Sequence, residues 1–138
     1  MIVGVGADVF DVRRMARELD EGGASLRESL FTPGEIADCE GTHAPAQHYA
    51  ARAAAKEAAA KALGVGLSSV AAWRDAEVGR DPHGRPALRL HGGLELTAAR
   101  LGVTAFSLSL SHTAELAIAV VVLESAAHGT AAVAAGAR

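Results

Sequence analysis

The chain has little of several residue types, and each shortage excludes a class of protein. Cys39 is the only cysteine among 138 residues, which excludes a disulfide framework and a cluster of thiolate metal ligands. The sequence shows no apolar run long enough to span a membrane, and it does not open with the apolar segment of a secretory leader. We therefore expect a soluble, cytoplasmic protein that does not act at a membrane.

Aromatic residues and net charge are also scarce. The chain has three Phe, one Tyr and one Trp, whereas alanine occupies 32 positions. An alanine-rich core buries little apolar area per residue, which favours a subunit interface that buries more. The net charge of −3 argues against a protein held on nucleic acid by a general basic field. The length indicates one domain, predicted at residues 1–124, followed by a loose Ala- and Gly-rich tail at 125–138.

Lysine is rare as well, and its placement points to one segment. Eleven of the thirteen basic residues are arginine, and the two lysines, Lys56 and Lys61, both lie in the segment Ala51–Gly64. Strong helix formers fill this segment, and its final glycine suits a left-handed helix end. Glu57 precedes Lys61 by one helical turn, as Arg52 precedes Lys56. These are either surface pairs worth roughly 0.2–0.5 kcal/mol or part of a site that uses ammonium groups.

The first segment predicts a strand that ends in a carboxylate. Residues 1–9 alternate, so that the valines share one face while Gly4, Gly6 and Asp8 share the other. The two glycines leave room for a helix or a ligand to approach the strand closely. A buried carboxylate requires a cation. Asp8 therefore either binds a metal ion or ligand, or begins the turn into the following helix.

The remaining pattern predicts an α+β fold in which an antiparallel sheet packs on a long central helix. Thr32, Pro33 and Glu35 predict the start of a short helix with a capping box. The other predicted elements are a helix from Asp11 to about Leu19, a loop at Glu21–Gly23, the long helix Pro45–Leu63, a strand Val70–Val78, a hairpin with its turn at Asp81–Pro86, a helix Leu94–Leu101, a strand Phe106–Ser111 with Phe106, Leu108 and Leu110 inward, and a buried strand Leu116–Leu123.

A basic edge is expected on the first helix. Arg13, Arg14 and Arg17 fall within two turns of each other and would lie along one side of it. This edge is either a solvated helix face or a docking surface for an acidic partner.

A row of hydroxyl groups is expected on the strand near the C-terminal end of the domain. Ser107, Ser109 and Ser111 alternate with apolar residues and lead into His112. The row is either the wet face of an antiparallel strand or a contact surface for phosphate or another polar ligand.

Four motifs occur in a fixed order along the chain. They are Gly4-Val-Gly-Ala-Asp8, Phe31-Thr32-x-x-Glu35, Ala51-Arg52-x-Ala54-Ala55-Lys56-Glu57-x-x-x-Lys61-Ala62-x-Gly64 and Ser109-Leu-Ser-His112-Thr113. The turn Asp81-x-x-Gly84-Arg85-Pro86 adds a fifth match. In this combination and spacing the chain resembles the holo-acyl-carrier-protein synthase type of 4′-phosphopantetheinyl transferase, over roughly residues 1–124.

The resemblance implies transfer of the 4′-phosphopantetheine group from coenzyme A to a serine of an apo acyl carrier protein, with release of adenosine 3′,5′-bisphosphate. The carrier would belong to fatty-acid, polyketide or peptide synthesis. Because the donor is a pyrophosphate, a Mg²⁺ ion with oxygen ligands is implied. By matching position, Asp8 and Glu57 would hold Mg²⁺, and Lys61 would contact the pyrophosphate and stabilise the leaving charge. Glu57, directly or through a water, would take the serine proton.

The resemblance also implies binding residues and an assembly. The residues implied in coenzyme A binding are Arg52, Lys56, Lys61, Gly64, Gly66, Arg85, Pro86, Ser109 and His112. Those implied in docking the acidic carrier protein are Arg13, Arg14 and Arg17. A homotrimer is implied, in which one subunit contributes Asp8, Glu57 and Lys61 to a cleft and its neighbour contributes the strand Ser109–His112. The chain departs from the family at Ser107, where a histidine is frequent, and at Asp11, where glutamate is common.

Two other functions fit the same residues. A Mg²⁺-dependent nucleotide or pyrophosphate hydrolase would use Asp8 and Glu57 in the same way. A non-catalytic module would bind coenzyme A or the carrier protein, and Ser107 in place of histidine favours it. The presence of Asp8, Glu57 and Lys61 favours an enzyme.

Overall fold

The computed structural model describes residues 1–67 and 69–126, and it confirms the α+β fold. The elements are β1 (Ile2–Asp11), α1 (Val12–Leu30), α2 (Pro33–Glu40), α3 (Pro45–Leu63), α4 (Val70–Asp75), β2 (Ala76–Arg80), β3 (Pro86–Leu90), α5 (Gly92–Arg100), β4 (Val103–His112) and β5 (Leu116–Ser125). An antiparallel sheet has the order β1-β5-β4, and β2 and β3 form a separate hairpin. Helix α3 packs against β1 and β5, so the predicted sheet on a central helix is confirmed.

Helix α3 is buried nearly all round because it is built mainly from alanine. Thirteen of its residues are buried, as expected of a helix that is apolar around its whole circumference. It begins at Pro45 and is followed by Gly64, whose backbone lies in the left-handed region with φ 75°. Both predicted helix ends are therefore confirmed.

Two glycines of β1 let the sheet approach α3 closely. A Cβ atom at Gly6 would clash with the carbonyl oxygen of Ala58, and a Cβ atom at Gly4 would clash with that of Ala62. Because both obstacles are backbone atoms, no side-chain rotation could relieve the clash. The close contact also brings Asp8, on the same face of β1, beside the last turns of α3.

We expect Gly6→Ala to destabilise the protein by roughly 1–3 kcal/mol or more, because strand and helix must separate to admit the methyl group. Urea unfolding measures the change in the free energy of unfolding. Gly66→Ala is the matched control, since no atom of the described residues lies within 4 Å of a Cβ atom built there. Equal unfolding midpoints for the two variants would contradict the close packing of β1 on α3.

Helix α1 is longer than predicted. The expected loop at Glu21–Gly23 is wrong, because the helix continues to Leu30 across a kink at Gly23, where φ is 59° and ψ is −149°. Glycine adopts this conformation without the steric penalty of a Cβ atom. The backbone is therefore non-helical at Gly23, and the helix resumes after it in a new direction.

The strand predicted at Val70–Val78 is wrong in its first half. Ser69 caps the short helix α4 by accepting the backbone N–H of Ala72 at 3.2 Å, and strand β2 begins only at Ala76. The predicted hairpin that follows is confirmed. In its turn the carboxylate of Asp81 accepts two backbone N–H groups, which fixes the register of β2 on β3.

Helix α2 begins with the predicted capping box. The Thr32 hydroxyl accepts the backbone N–H of Glu35 at 3.2 Å, and the Glu35 carboxylate accepts the backbone N–H of Thr32 at 2.9 Å. The Thr32 hydroxyl also donates to the Glu77 carboxylate at 2.7 Å. The cap therefore ties α2 to strand β2 as well as starting the helix.

The sheet has one apolar face that the single chain leaves exposed. Strand β5 was expected to be buried on both faces, and this is wrong. Its buried residues are Ala117, Ala119, Val121 and Leu123, whereas Leu116, Ile118 and Val120 are 37–43% exposed. On β4, Phe106 stands opposite the buried Leu123 and so lies on the inner face as predicted, although 37% of it remains exposed there. The alternation shows that only one face of the sheet is covered by α3.

Strand β5 ends at Ser125. The predicted loose tail at 125–138 therefore starts too early by one residue, and positions 127–138 lie outside the described residues. None of the described helices is both long and apolar enough to cross a membrane. The cytoplasmic location stays a prediction.

Candidate active site

The structure brings Asp8 of β1 together with Glu57 and Lys61 of α3. The Nζ atom of Lys61 donates to Oδ1 of Asp8 at 2.9 Å and to the carbonyl oxygen of Ala7 at 3.1 Å. Glu57 lies one turn before Lys61 on the same side of α3, and Asp8 and Glu57 line one cleft of about 260 Å³. Two carboxylates and an ammonium group thus meet where β1 crosses α3.

The environment of Glu57 makes its carboxylate more basic than usual. Burial raises the pKa of Glu57, the nearby Asp8 carboxylate raises it further, and Lys61 lowers it. The pKa of Lys61 is also raised, chiefly by its hydrogen bond to Asp8. Lys61 therefore stays charged at neutral pH, and Glu57 is suited to accept a proton.

The two carboxylates fit an open Mg²⁺ site. Mg²⁺ in enzymes is commonly bound by one or two carboxylates and completes its shell with water and phosphate oxygens. No group of three or more His, Cys, Asp or Glu side chains arranged for a metal ion occurs within residues 1–67 and 69–126. With only two carboxylates, Asp8 and Glu57 would hold the ion together with oxygen atoms of water and substrate. There it would offset negative charge and polarise a phosphoryl group.

The walls of this cleft include Phe10 and Trp73, which the sequence did not single out, and Arg14, which the resemblance assigned only to carrier-protein docking. Phe10, Arg14 and Trp73 line it beside the carboxylates, and the guanidinium of Arg14 lies 5.2 Å from the centroid of the Phe10 ring. Lys61 reaches the same place from α3 with 53% of its side chain exposed. The cleft thus combines aromatic and apolar side chains with charged ones. Phe10 could have been found from the sequence, since it shares the alternating strand face with Asp8.

The basic edge of α1 adjoins the cleft. Arg13, Arg14 and Arg17 are exposed. Arg13 pairs with Glu115 at 3.3 Å and Arg14 with Glu18 at 2.8 Å. Exposed pairs of this kind contribute little and exchange readily for other partners. Because Arg14 belongs to both the edge and the cleft, a partner docked on the edge would lie beside the carboxylates.

A second cavity, of about 190 Å³, collects basic side chains near the start of α3. Its lining includes His48, Arg52, Arg80, Pro86 and His112. The side chain of Arg52 is only 5% exposed and approaches Asp38 at 3.5 Å. Its Nε atom has no hydrogen-bond partner among the described residues. A buried guanidinium with a free donor is suited to an anion such as phosphate.

His48 is a member of this cavity that the sequence interpretation missed. Its ring meets that of His112 edge-on, with centroids 5.7 Å apart. Burial lowers the pKa of His48, and the positive charge of Arg52 lowers it further, followed by His112 and Arg80. The spacing of four residues between His48 and Arg52 on one helix face was the signal available in the sequence.

The interpretation of Lys56 as a ligand of coenzyme A needs correction. Its side chain is fully buried, and its Nζ atom donates to Glu35 at 2.7 Å and to the carbonyl oxygens of Trp73 at 2.8 Å and Ala76 at 2.5 Å. These bonds use all three donors of an ammonium group. Lys56 therefore has neither the exposure nor a free donor to bind a ligand.

The other residues expected to bind coenzyme A fall into separate groups in one chain. Gly64 and Gly66 follow α3 at the Lys61 end. Arg85 lies in the hairpin turn, where its Nε atom pairs with Asp81 at 2.9 Å. Arg52, Pro86 and His112 lie instead at the second cavity.

Ser109 and His112 lie on opposite faces of β4. Ser109 stands opposite Val120 of β5, on the exposed face of the sheet, whereas Leu110 stands opposite the buried Ala119. Residues three apart on a strand point to opposite sides. His112 consequently shares the side of Leu110 and borders the second cavity. The two side chains cannot form one continuous polar row.

A still larger cavity of about 600 Å³ lies between the β2–β3 hairpin, α5 and β4. Leu88, Ala98 and Phe106 are among its lining residues. It contains none of the carboxylates or ammonium groups that form the cleft. Chemistry rather than size therefore identifies the candidate active site.

Comparison with known proteins identifies the family of the chain. The family model of the 4′-phosphopantetheinyl transferase superfamily matches residues 4–121. A holo-[acyl-carrier-protein] synthase of Geobacter sulfurreducens is 46% identical over 124 residues, which are 90% of this chain and 98% of that relative.

Solved structures of the same group resemble the chain closely. The holo-[acyl-carrier-protein] synthase of Neisseria meningitidis has a TM-score of 0.81 and 31% identity, covering 90% of this chain and 99% of its own. The holo-(acyl-carrier-protein) synthase of Bacillus anthracis, solved in complex with CoA (3′,5′-ADP), has a TM-score of 0.73 and 34% identity, covering 91% and 99%. The chain therefore belongs to the 4′-phosphopantetheinyl transferase superfamily, as an enzyme of its holo-[acyl-carrier-protein] synthase type.

Proposed function

We propose that this chain transfers the 4′-phosphopantetheine group from coenzyme A to a serine of an apo acyl carrier protein, with Mg²⁺, and releases adenosine 3′,5′-bisphosphate. The observation that carries the proposal is that Asp8 and Glu57 line one cleft, with Lys61 bonded to Asp8, in a chain from this superfamily. The relative from Bacillus anthracis that was solved with CoA (3′,5′-ADP) supports coenzyme A as the donor.

The cleft residues account for the transfer step. The serine oxygen of the carrier forms a bond to the phosphorus that bears the pantetheine arm, while the bond from that phosphorus to the bridging oxygen breaks. The bridging oxygen leaves with the electron pair as part of adenosine 3′,5′-bisphosphate. Glu57, with its raised pKa, takes the serine proton. The ammonium group of Lys61 stabilises the charge that develops on the leaving group.

The second cavity is proposed to bind a phosphate of coenzyme A. The cleft and the cavity that contact one coenzyme A molecule would then belong to two different subunits. Arg52 and Lys61 are nine residues apart on α3, which places them about 180° apart around the helix and about 13 Å apart along it. They therefore face opposite sides of the helix. One coenzyme A molecule could contact both kinds of residue only if two subunits contribute to the site.

A homotrimer with shared sites is proposed on this ground and on the exposed sheet face. On this face the strand registers give three rows of neighbours across β1, β5 and β4. The rows are Val5, Val122 and Ser107; Ala7, Val120 and Ser109; and Val9, Ile118 and Ser111. The apolar members form a band whose valines at 5 and 9 are 59% and 56% exposed. A contiguous apolar surface of this kind marks an interaction site. A second copy of the chain would cover the band and bring its β4 strand toward the first subunit.

The proposed reaction is tested by mass spectrometry. An apo acyl carrier protein is incubated with this enzyme, coenzyme A and Mg²⁺, and we expect the carrier to gain the mass of one phosphopantetheine group. A parallel sample with a chelator should show no gain. The two alternative functions have their own outcomes. A hydrolase would release free phosphopantetheine and leave the carrier unmodified, and a binding module would leave both reactants unchanged.

Arg14→Glu is expected to raise KM for the carrier protein severalfold and to change KM for coenzyme A little. The reason is that Arg14 belongs to the exposed basic edge, where an acidic partner would dock. Steady-state kinetics with each substrate varied in turn measures the difference. The kcat/KM of the wild type for the carrier should also fall as ionic strength rises.

Arg100→Glu provides the control for this charge reversal. Arg100 is an exposed arginine in the last turn of α5, away from the basic edge, so both KM values should stay at the wild-type level. Equal increases of both KM values in Arg14→Glu would instead indicate that Arg14 supports the cleft itself.

A further inference from the structure

The buried ion pair between Lys56 and Glu35 joins four elements of the fold. Lys56 of α3 donates to the Glu35 carboxylate of α2 and to backbone carbonyls at the end of α4 and the start of β2. Glu35 accepts Lys56 through Oε1 and the backbone N–H of Val78 through Oε2 at 3.0 Å. Both charged side chains have zero exposure. The pair is a fully satisfied junction in the interior.

Stability alone gives a weak reason for such a pair. Burial removes both charges from water, and it lowers the pKa of Lys56 while the Glu35 carboxylate raises it. Replacing a buried ion pair with apolar residues of similar size is often neutral or even stabilising. A role in fixing the relative position of the joined elements is therefore a better account of Lys56 and Glu35.

One of those elements forms a wall of the active-site cleft. Trp73 lines the cleft that holds Asp8 and Glu57, and its carbonyl oxygen accepts from Lys56 at 2.8 Å. Helix α4 is only six residues long, so a bond at its last turn constrains much of it. The next residue of α3 after Lys56 is Glu57. One ammonium group thus ties the carboxylate-bearing turn of α3 to the backbone of Trp73, which lines the same cleft.

We propose that Lys56 and Glu35 are positioning residues, which hold the indole of Trp73 and the carboxylate of Glu57 at the separation that the transfer step requires. This inference rests on the proposed function for its kinetic consequence. It assigns no contact with coenzyme A to either residue.

The test uses the double variant Lys56→Met/Glu35→Gln, which removes both charges while it keeps side-chain size. Trp73 is the only tryptophan, so intrinsic fluorescence reports its position in the free protein, without any substrate. We expect a red shift of the emission and stronger quenching by acrylamide. In the transfer assay we expect kcat to fall about 10- to 100-fold, while KM for coenzyme A stays within about twofold.

A second variant separates positioning from a general loss of structure. Leu123→Ala removes a fully buried side chain from β5 and should lower Tm while leaving the fluorescence of Trp73 and kcat at the wild-type level when assayed well below Tm. Trp73→Leu should reduce kcat by a similar factor as the double variant. Combining the two should give no further loss, because both act through the same cleft wall.

Three results would overturn the inference. An unchanged Trp73 spectrum in the double variant would show that the pair does not hold the indole. A rise in KM for coenzyme A with kcat unchanged would indicate direct substrate contact. Additive losses in the combined variant would separate Lys56 from Trp73. If the wild type fails to modify the carrier, the proposed function falls, and the fluorescence and quenching results decide the positioning of Trp73 by themselves.

Discussion

Glu57→Gln is expected to reduce phosphopantetheine transfer by about two to four orders of magnitude, the range for loss of a general acid–base group. Glutamine keeps the size of the side chain but cannot take a proton, and it removes one of the two negative charges proposed to hold Mg²⁺. Asp8→Ala should be comparably inactive because it removes the other charge and the partner of Lys61. Rates with saturating coenzyme A and carrier protein measure both effects.

Glu57→Gln should also raise Tm at pH 7 in the absence of divalent cations. The pKa of Glu57 is raised in the folded protein by burial and by Asp8, so the folded state binds its proton more tightly than the unfolded chain does. The stability contributed by this group is present below the unfolded pKa and is lost as pH rises through the folded pKa. At pH 7 the wild type therefore carries an unfavourable charge that the glutamine variant lacks.

Calorimetry at two pH values separates this explanation from an accidental gain of packing. The Tm advantage of Glu57→Gln should shrink toward pH 4, where the wild-type carboxyl group is increasingly protonated in both states. Glu95→Gln, the same chemical change at an exposed position in the first turn of α5, should leave activity unchanged and should not raise Tm, since the carboxylate there favours the helix. Near-normal transfer rates in both Asp8→Ala and Glu57→Gln would show that the metal and proton-transfer roles are assigned wrongly.

The sequence allowed the elements of the cleft to be predicted because their signals are local. Gly4 and Gly6 indicated a strand that a helix approaches closely, and the turn from Glu57 to Lys61 indicated which helix face carries the charges. Thr32 and Glu35 likewise predicted the start of α2 from side chains that bond within the same turn. Patterns of this kind depend on neighbours a few residues away, so they survive in almost any tertiary context.

The errors came from properties that only the folded chain determines. Lys56 and Lys61 are chemically the same and five residues apart, yet one is fully buried and the other is half exposed. The difference depends on Glu35 and on two carbonyl groups that reach Lys56 from other elements. Nothing within the helix sequence shows that these partners arrive. The polar row assumed from Ser109 to His112 failed for a different reason, because residues three apart on a strand point to opposite sides, so the alternation itself separates the serines from His112.

Subunit mixing offers the most direct test of a shared active site. Lys61→Ala damages the cleft wall that contains Asp8 and Glu57, whereas His112→Glu introduces a negative charge into the cavity with Arg52. Each variant alone should be nearly inactive. If the two walls of a working site come from neighbouring subunits, mixing the proteins under conditions that exchange subunits should restore activity. With random assortment, about one quarter of the clefts combine two intact walls in a closed ring.

Three controls make the mixing result decisive. Sedimentation should find about three chains per particle for the wild type and for each variant, because a ring requires the assembly to persist. Subunit exchange is established separately with tagged and untagged copies recovered in one particle. Lys61→Ala mixed with Glu57→Gln damages the same wall twice and should give no rescue, since no arrangement of these chains yields an intact cleft. Failure of Lys61→Ala and His112→Glu to complement, despite proven exchange, would place both walls within one chain, which the opposite orientation of Arg52 and Lys61 on α3 argues against.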